Sequence, residues 1–340
     1  MSWQWPVAIL VPAFVSFTVI ALLRPSRWAA RLADEPNERS LHTAPTPRVG
    51  GLGVMAGALP VAAAFADAPL LVLLACAAFL AIVSTLDDRQ SLPIQVRLPA
   101  HAAAAIVAVL AIAGPEGRHS GLGAVEATLA IGALAWMTNL FNFMDGSDGL
   151  AGGMAAIGFG ALGLAAFQAG AFPLALATAA IAAASAGFLA HNFPPARVFL
   201  GDAGSVPLGF LAGALGLQGV VLGAWPAWFP VVVFSPFIVD ASVTLLRRVL
   251  RGEPFWRAHR SHYYQRLVLG GWTRRALALR GYALMLAAAA SALLALGSGA
   301  QVRFGIILVW AGAYALLFLA IERRARDLSL TARAFGQQEQ

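Results

Sequence analysis

Long apolar runs separated by short polar stretches dominate the pattern of this chain. A membrane-spanning helix needs about 20 consecutive apolar residues, and the pattern predicts about eleven such helices. They lie near residues 5–23, 50–66, 69–86, 99–114, 122–141, 150–169, 171–190, 206–223, 227–248, 281–299 and 303–321. The runs 50–66 and 69–86 nearly touch, which predicts a helical hairpin. The predicted fold class is therefore an all-α membrane protein.

The composition supports this fold class. Of the 340 residues, 59% are hydrophobic and 11% are charged, whereas a soluble domain carries roughly 25% charged residues. No internal repeat, low-complexity linker or large soluble insertion interrupts the apolar runs. We expect a single polytopic membrane domain over residues 1–340, with a cytoplasmic tail over 322–340. The single cysteine, Cys76, excludes an intramolecular disulfide.

The basic residues indicate how the chain lies in the membrane. All 23 of them are arginines, and the formal net charge is +7. Only Arg118 and Arg303 fall outside the loops and tail of one side of the predicted topology. By the positive-inside rule that side is cytoplasmic, so the amino terminus is periplasmic and the carboxyl terminus cytoplasmic. Because no basic soluble domain presents these arginines, we expect the lipid bilayer as a partner and no nucleic acid.

One stretch, residues 139–153, concentrates polar and small residues between two apolar runs. Its amides and carboxylates are Asn139, Asn142, Asp145 and Asp148, and Gly146 lies between the two acids. If the backbone is helical, the two aspartates share a face, and the glycines allow a ligand or a neighbouring helix to approach closely. This combination favours a diphosphate with its metal ion. The alternative is a loop whose polar side chains cap helices and whose glycines form turns.

Further polar clusters fall on the same predicted cytoplasmic side. Arg48 precedes a Gly-Gly pair that opens a helix, where backbone N–H groups can face an anion. Asp87 and Asp88 end a predicted span and point about 100° apart, so one can face a metal and the other an acceptor. Asp202 begins the next span, which makes it either a candidate Mg²⁺ ligand or a helix N-cap.

The longest loop, about residues 247–280, interleaves nine arginines with aromatic residues and histidines. This composition predicts either a segment that lies against anionic lipid heads or a clamp for a phosphate group. The side chains of that clamp would be those of His259, His262 and Arg266. In the preceding span, Asp240 is either a functional intramembrane acid or the partner of Arg247.

Taken together, these loops resemble the polyprenyl-phosphate N-acetylhexosamine-1-phosphate transferases, from Asp34 to about Arg266. The motifs that carry the resemblance are Asp87-Asp88, Asn139-x-x-Asn142-x-x-Asp145-Gly-x-Asp148-Gly-Leu and Asn192-x-Pro-Pro-Ala-x-x-Phe199-x-Gly201-Asp202-x-Gly204-Ser205. The resemblance implies an active site on cytoplasmic loops of a helical membrane protein. It also implies transfer of a sugar 1-phosphate from a UDP-N-acetylhexosamine to undecaprenyl phosphate with release of UMP. The implied cofactor is Mg²⁺, with Mn²⁺ as the alternative ion.

The resemblance also implies roles for matching residues. It makes Asp202 the metal ligand, to which we add Asp88, and it assigns activation of the lipid phosphate to Asp87 and Asp88. The segment from Asp145 to Asp148 would bind uridine. Phe199 would stack on uracil, and Asn192 would belong to the nucleotide site. The expected catalytic residues are thus Asp87, Asp88, Asp145 and Asp148, and the expected binding residues are Arg48, Asn139, Asn142, Gly146, Asn192, Phe199, His259, His262 and Arg266.

One segment departs from the family pattern. Most relatives carry His-x-His-His where this chain has His262-Tyr263-Tyr264-Gln265. The sequence His-Tyr-Tyr-Gln-Arg resembles the subgroup that initiates O-antigen with a 6-deoxy sugar such as N-acetylfucosamine or N-acetylquinovosamine. We therefore expect such a donor, with UDP-N-acetylglucosamine as the alternative, and the first membrane step of O-antigen or lipopolysaccharide synthesis at the bacterial inner membrane.

Two further expectations concern class and assembly. A nucleotide-sugar or lipid-linked-sugar transporter would carry acids near the bilayer midplane and show pseudo-symmetric halves. Here the acids lie at predicted span ends and the sequence shows no repeat, so the pattern favours an enzyme. Homodimerisation is left open by the sequence.

Overall fold

The computed structural model describes residues 3–35, 44–114, 123–254 and 259–336, with side chains as far as Ala325. Within these ranges the chain is almost entirely helical. The helices are α1 (Gln4–Leu23), α2 (Arg27–Ala30), α3 (Gly50–Ala64), α4 (Ala68–Gln90), α5 (Ile94–Ala113), α6 (Ala124–Phe143), α7 (Leu150–Gln168), α8 (Phe172–Asn192), α9 (Asp202–Val221), α10 (Trp228–Val233), α11 (Ser235–Leu250), α12 (Tyr263–Leu269), α13 (Arg274–Ala295) and α14 (Ala300–Gly336). Two short strands, β1 (Ala33–Asp34) and β2 (Thr46–Pro47), pair antiparallel.

Nine helices in the described part of the chain are long and apolar enough to cross a membrane: α1, α4 to α9, α13 and α14. This confirms the predicted class, an α-helical membrane protein. The other two predicted spans take a different form. Residues 50–66 contain α3, which is only 15 residues long, and residues 227–248 contain α10 and α11, which meet at Phe234. Pro236 in the first turn of α11 explains that break, because proline cannot donate the backbone hydrogen bond of a continuous helix.

Helices α7, α8 and α9 form the centre of the bundle, whereas α14 lies at its periphery. In the most apolar windows of α7 and α9, 72% and 78% of the residues are buried, against 11% for α14. Small residues let these central helices approach closely, as is usual in membranes. At Gly51 the backbone of α3 touches that of α9, since a Cβ built there would collide with the backbone of Gly204. The starts of α3 and α9 are thereby held side by side.

The loops at this end of the bundle are joined by backbone hydrogen bonds. The N–H of Phe199 donates to the carbonyl of Pro47 at 2.9 Å, and the N–H groups of Gly50 and Gly51 donate to the carbonyls of Phe199 and Leu200. The β1–β2 pair, with Asp34 opposite Thr46, lies directly before this junction. Loop positions 36–43 lie outside the described residues. The loop before α3 and the loop between α8 and α9, both predicted to be cytoplasmic, therefore form one surface.

The last helix does not end where the cytoplasmic tail was predicted to begin. Helix α14 continues through position 322 to Gly336, and Glu322 forms ion pairs with Arg247 and Arg266. The predicted tail therefore starts within α14, at a position where this helix contacts α11 and α12. The orientation of the termini across the membrane stays a prediction.

Candidate active site

Three carboxylates from three different segments meet around the first turn of α9. Asp88 lies at the end of α4, Asp145 lies in the turn between α6 and α7, and Asp202 is the first residue of α9. Oδ2 of Asp88 accepts a hydrogen bond from the N–H of Ala203 at 3.2 Å. Asp145 lies close enough to Asp88, Asp202 and the backbone of Gly201 to interact with them electrostatically. Residues far apart in the chain are thus brought to one site.

Arginine and asparagine side chains complete this cluster. Nη1 of Arg48 lies 3.4 Å from Oδ1 of Asp88, and Nη2 donates to Asp34. Burial lowers the pKa of Arg48, but the charges of Asp34 and Asp88 outweigh it and raise the pKa above its ordinary value. Asn142, in the last turn of α6, lies beside the carboxylate of Asp202. The structure therefore brings together Arg48, Asn142 and the three aspartates.

The acids in this cluster repel one another. Desolvation, followed by the charges of Asp202 and Asp88, raises the pKa of Asp145 well above its ordinary value. A bound cation would offset this repulsion. Among the described residues, no three His, Cys, Asp or Glu side chains are arranged to hold a metal by themselves. Carboxylate oxygens that leave room for phosphate oxygens nevertheless fit Mg²⁺, which usually binds one or two carboxylates together with substrate phosphates.

A cavity of about 660 Å³ opens beside the carboxylate cluster, between α4, α5, α6 and the segment before α12. This volume lies within the usual range for small-molecule sites, roughly 300–1,000 Å³. Its polar lining consists of Ser84, Asp87, Arg97, His101, Asn139, Asn142, Asp202, His259, His262 and Gln265. Trp136 and Phe143 provide aromatic surface on the α6 side. A cavity that combines acids, bases and aromatic groups in this way suits a nucleotide sugar.

Asp87 and Asp88 have different surroundings, as their adjacent positions in a helix predicted. Asp87 lines the cavity, accepts a hydrogen bond from the N–H of Leu92 at 2.7 Å and forms an ion pair with Arg97 at 3.0 Å. Asp88, in contrast, caps the first turn of α9. The described contacts therefore place Asp88 at the carboxylate cluster and make Asp87 the residue that orients Arg97.

The turn that carries Asp145 and Asp148 is not helical, so the condition under which they would share a helix face is not met. Gly149 adopts φ +76°, a left-handed conformation that glycine tolerates, and α7 begins only at Leu150. Oδ2 of Asp148 accepts from the N–H of Ala196 at 3.0 Å and lies 3.5 Å from Nη1 of Arg274. Asp148 thus connects the turn to the loop between α8 and α9 instead of joining the carboxylate cluster.

Asn192 also connects loops. Its Oδ1 accepts from the N–H of Gly149 at 2.8 Å, and its Nδ2 donates to the carbonyl of Val198 at 2.9 Å. Both bonds are to backbone groups, and Asn192 is only 4% exposed. Phe199 is half-buried and, among the described residues, is not part of the cavity wall. The predicted contacts of these two side chains with the nucleotide therefore find no support in the cavity.

Gly146 lies against a protein side chain. A Cβ built at Gly146 would collide with Oη of Tyr264. The sequence predicted that glycine here admits a ligand or a neighbouring helix, and the structure shows close packing against helix α12. The other glycines of the motif serve the same purpose, since Gly153 packs against the ring of Tyr282.

The longest loop divides its predicted binding residues between two places. His259 and His262 line the cavity. Burial, followed by the charges of His262 and Arg248, lowers the pKa of His259 to about 4, so this imidazole is neutral at neutral pH. Arg266 lies elsewhere, where Nη2 bonds Oε2 of Glu322 at 3.1 Å, and within the described chain it is not part of the cavity wall.

Asp240 does not form the predicted ion pair with Arg247. Oδ1 and Oδ2 accept hydrogen bonds from the N–H groups of Tyr263 and Tyr264 at 2.9 and 3.0 Å. Arg247, its predicted partner, instead pairs with Glu322. Nδ1 of His262 lies 3.4 Å from Oδ1 of Asp240 without forming a hydrogen bond. Asp240 therefore anchors the first turn of α12.

Comparison with known proteins places this site in a family. Residues 70–220 match the family model described as glycosyl transferase family 4. Over 268 residues the chain is 33% identical to the undecaprenyl-phosphate alpha-N-acetylglucosaminyl 1-phosphate transferase of Yersinia pestis, an alignment that covers 72% of this chain and 71% of that protein. The chain belongs to glycosyl transferase family 4.

Two further relatives of this family 4 transferase show how widely the similarity extends. The undecaprenyl-phosphate alpha-N-acetylglucosaminyl 1-phosphate transferase of Escherichia coli (strain K12) is 29% identical over 298 residues, which cover 76% of each chain. The decaprenyl-phosphate N-acetylglucosaminephosphotransferase of Mycobacterium tuberculosis (strain ATCC 25618 / H37Rv) is 26% identical over 288 residues, covering 72% of this chain and 70% of that protein. The family-model match over residues 70–220 includes Asp88, Asp145 and Asp202.

Four polar residues of the cavity in this family 4 transferase were not among the predicted site residues: Ser84, Gln265, Arg97 and His101. Arg97 is held by Asp87, and His101 lies beside the side chain of Asn139. The spacing of four residues between Arg97 and His101, on the first turns of a membrane helix, was a usable signal, because it puts both on one helix face. They supply positive charge and hydrogen-bonding capacity opposite Asp202.

Proposed function

We propose that this family 4 transferase moves an N-acetylhexosamine 1-phosphate from its UDP-sugar to undecaprenyl phosphate and releases UMP. The observation that carries the proposal is the meeting of Asp88, Asp145 and Asp202 at the edge of a cavity of about 660 Å³. The names of the relatives support undecaprenyl phosphate as the acceptor. The arginine-rich ends of the helices would hold the anionic reactants near the membrane surface.

The reaction proceeds by transfer between two phosphate groups. An oxygen of the lipid phosphate attacks the β-phosphorus of the UDP-sugar and forms the new P–O bond, while the bond from that phosphorus to the bridging oxygen of UMP breaks. The bond electrons leave with UMP. A phosphate monoester has a second pKa of about 6, so most of the acceptor is already ionised at neutral pH. Asp88 then has the task of orienting the acceptor and taking up its last proton when one is present.

The carboxylates of this chain fit a divalent cation. When bound, Mg²⁺ would neutralise charge that develops on the diphosphate. Asp202 and Asp88 offer oxygen ligands from the start of α9 and the end of α4, and Asp145 faces both of them. Asn142 lies beside the carboxylate of Asp202, and Arg48 compensates part of the negative charge. Arg97 and His101 provide donors for the phosphates from the opposite wall.

The preferred donor is a UDP-activated 6-deoxy-N-acetylhexosamine. His259, His262 and Gln265 of the longest loop line the cavity, as do the aromatic rings of Trp136 and Phe143. A sugar that carries a methyl group in place of a hydroxymethyl group suits the apolar surface of these rings. With this donor the reaction would be the first membrane step of O-antigen synthesis at the bacterial inner membrane. The relatives' names favour the alternative donor, UDP-N-acetylglucosamine.

A donor panel tests the proposal. Purified protein would be incubated with undecaprenyl phosphate, Mg²⁺ and labelled UDP-N-acetylfucosamine, UDP-N-acetylquinovosamine or UDP-N-acetylglucosamine. We expect UMP and a lipid-linked sugar diphosphate, with the highest kcat/KM for a 6-deoxy donor. The highest value for UDP-N-acetylglucosamine would establish the alternative donor, and an intact donor in every reaction would contradict transferase activity.

Two variants assign the reaction to the carboxylate cluster. Asp202→Asn is expected to abolish turnover with all three donors, because it removes the charge at the centre of the cluster. Asp67→Asn is the matched control, since Asp67 is the N-cap of α4 and bonds the N–H of Leu70 at 3.0 Å. Substantial activity in Asp202→Asn would remove this residue from the proposed metal site.

A further inference from the structure

The hydroxyl of Tyr264 lies directly behind the turn that carries Asp145. It donates a hydrogen bond to the carbonyl of Phe143 at 3.1 Å, and its oxygen packs directly against Gly146. Tyr264 is only 4% exposed. Because Phe143 and Gly146 lie on either side of Asp145 in sequence, one hydroxyl spans the whole turn.

The turn has no space in which to move toward Tyr264. Gly146 is packed so closely that even a methyl group there would collide with the tyrosine oxygen. On its other side, Asp145 lies against Gly201 at the start of α9 and faces Asp88 and Asp202. The position of the Asp145 carboxylate is therefore defined by Tyr264 behind it and by α9 in front of it.

Tyr264 itself is fixed by a second element. The carboxylate of Asp240, in α11, accepts hydrogen bonds from the N–H groups of both Tyr263 and Tyr264. It also accepts one from Oγ1 of Thr244 at 3.2 Å. A carboxylate that satisfies two N–H groups at a helix start forms strong, charge-assisted bonds. Helix α12 consequently cannot follow a displacement of the Asp145 turn, and the turn is held against a fixed support.

We propose that Tyr264 is a positioning residue for the transfer reaction. Its hydroxyl holds the 143–146 turn, so that the carboxylate of Asp145 stays at the first turn of α9, and Asp240 supports it by anchoring α12. This inference rests on the proposed function, since it deepens the role of the same site. A purely structural role for Tyr264 would change stability without changing the site.

The test compares two neighbouring tyrosines. Tyr264→Phe removes the hydroxyl behind Asp145, whereas Tyr263→Phe removes one that bonds Arg247, on a ring that stacks on Phe318 with centroids 3.8 Å apart. Since one hydrogen bond is worth about a factor of ten, we expect Tyr264→Phe to lower kcat roughly tenfold and Tyr263→Phe to leave it within about twofold. Equal losses in both variants, or none in Tyr264→Phe, would overturn the proposal.

A binding measurement keeps this test separate from the proposed function. Isothermal titration with UDP and Mg²⁺ needs no turnover, and we expect Kd to rise about fivefold in Tyr264→Phe, because one hydrogen bond is lost, and to stay unchanged in Tyr263→Phe. If the wild type produced no lipid-linked sugar with any donor, the proposed function would fail, while this comparison would still decide the role of Tyr264.

A double-mutant cycle decides whether Tyr264 acts through Asp145. In an Asp145→Asn background, Tyr264→Phe should have no further effect on Kd for UDP with Mg²⁺, because coupled residues are not additive. Full additivity would contradict the proposal. If Tyr264→Phe folds poorly, Asp240→Asn weakens the same support from α11, and it should raise Kd in the same direction while Asp145→Asn masks its effect.

Discussion

At the scale of single residues, the site is built from aspartates whose charges oppose one another. Asp145 has lost solvent and faces Asp88 and Asp202, which raises its pKa well above the ordinary value. Sites of this kind reduce the stability of the protein that carries them. The backbone N–H of Ala203 offsets part of this cost, because it donates to the carboxylate of Asp88 at 3.2 Å.

Neutralising Asp145 should therefore stabilise the protein in the absence of a cation. We predict that Asp145→Asn raises the melting temperature in EDTA at pH 7 while it lowers kcat at least about 100-fold, the usual cost of a lost electrostatic contact. The folded-state pKa is raised, so stability is lost as pH increases from the unfolded-state value of about 4. The difference in melting temperature should accordingly be larger at pH 7 than at pH 5.

Asp67→Asn provides the comparison of opposite sign. Asp67 accepts from the N–H of Leu70 as the N-cap of α4. Asparagine keeps this acceptor, so only the favourable negative charge at the helix start is lost, which should lower stability by up to ~1 kcal/mol. A lower melting temperature for Asp145→Asn in EDTA would contradict the view that the cluster is repulsive.

The glycine at position 146 makes a prediction about packing. Gly146→Ala should lower the free energy of unfolding by ~1–3 kcal/mol, because the new methyl group overlaps the hydroxyl of Tyr264. Gly160→Ala is the control, since a Cβ there meets nothing within 4 Å and alanine favours the helix. Thermal unfolding measures both. Adding Tyr264→Phe should recover part of the loss, and no recovery would mean that the hydroxyl is not the obstacle.

At the scale of elements, α14 is attached to α11 and α12 through one acid. Glu322 receives Arg247 of α11 and Arg266 of α12, and the ring of Phe318 stacks on Tyr263. Three elements that are distant in sequence therefore meet at this point. Arg266 is used here for attachment, which explains why it lies apart from the cavity.

Loss of this acid should loosen the attachment. We predict that Glu322→Gln lowers the free energy of unfolding by ~1–3 kcal/mol, since two guanidinium groups lose their charged partner. Glu253→Gln is the control. Its pair with Arg248, at 2.8 Å, involves a glutamate side chain that is 38% exposed, so the expected loss is only ~0–1 kcal/mol. Equal melting temperatures for the two variants would show that Glu322 contributes no more than a surface ion pair.

At the scale of the whole molecule, the arginine distribution predicts which side of the membrane holds the site. Cys76 is buried and can be replaced by alanine to give a background without cysteine. We predict that Glu253→Cys reacts with a membrane-impermeant thiol reagent only after the cells are lysed. Ala169→Cys, in the exposed α7–α8 turn, should react already in cells in which only the outer membrane is permeabilised. The reverse pattern would place the carboxylate cluster outside the cytoplasm.

The sequence predicted part of the site because chemistry and spacing are local. Asp88, Asp145, Asp202, Asn142 and Arg48 were recognisable as polar groups at the ends of apolar runs, where charge needs a reason. Asp148 and Asn192 carried the same signal. Their hydrogen bonds to the backbone of other loops depend on packing, which residue type does not reveal.

The hydrophobic pattern by itself determined the helical membrane class, because a continuous apolar run of about 20 residues can satisfy its backbone hydrogen bonds within its own segment only as a helix. Tertiary structure alone decided which acids share a site, since convergence depends on where α4, α9 and the Asp145 turn lie in space. It also decided that Asp240 bonds the N–H of Tyr264, that Tyr264 bonds the carbonyl of Phe143 in that turn, and that Arg266 pairs with Glu322. These choices rest on contacts between distant segments, which no local pattern specifies.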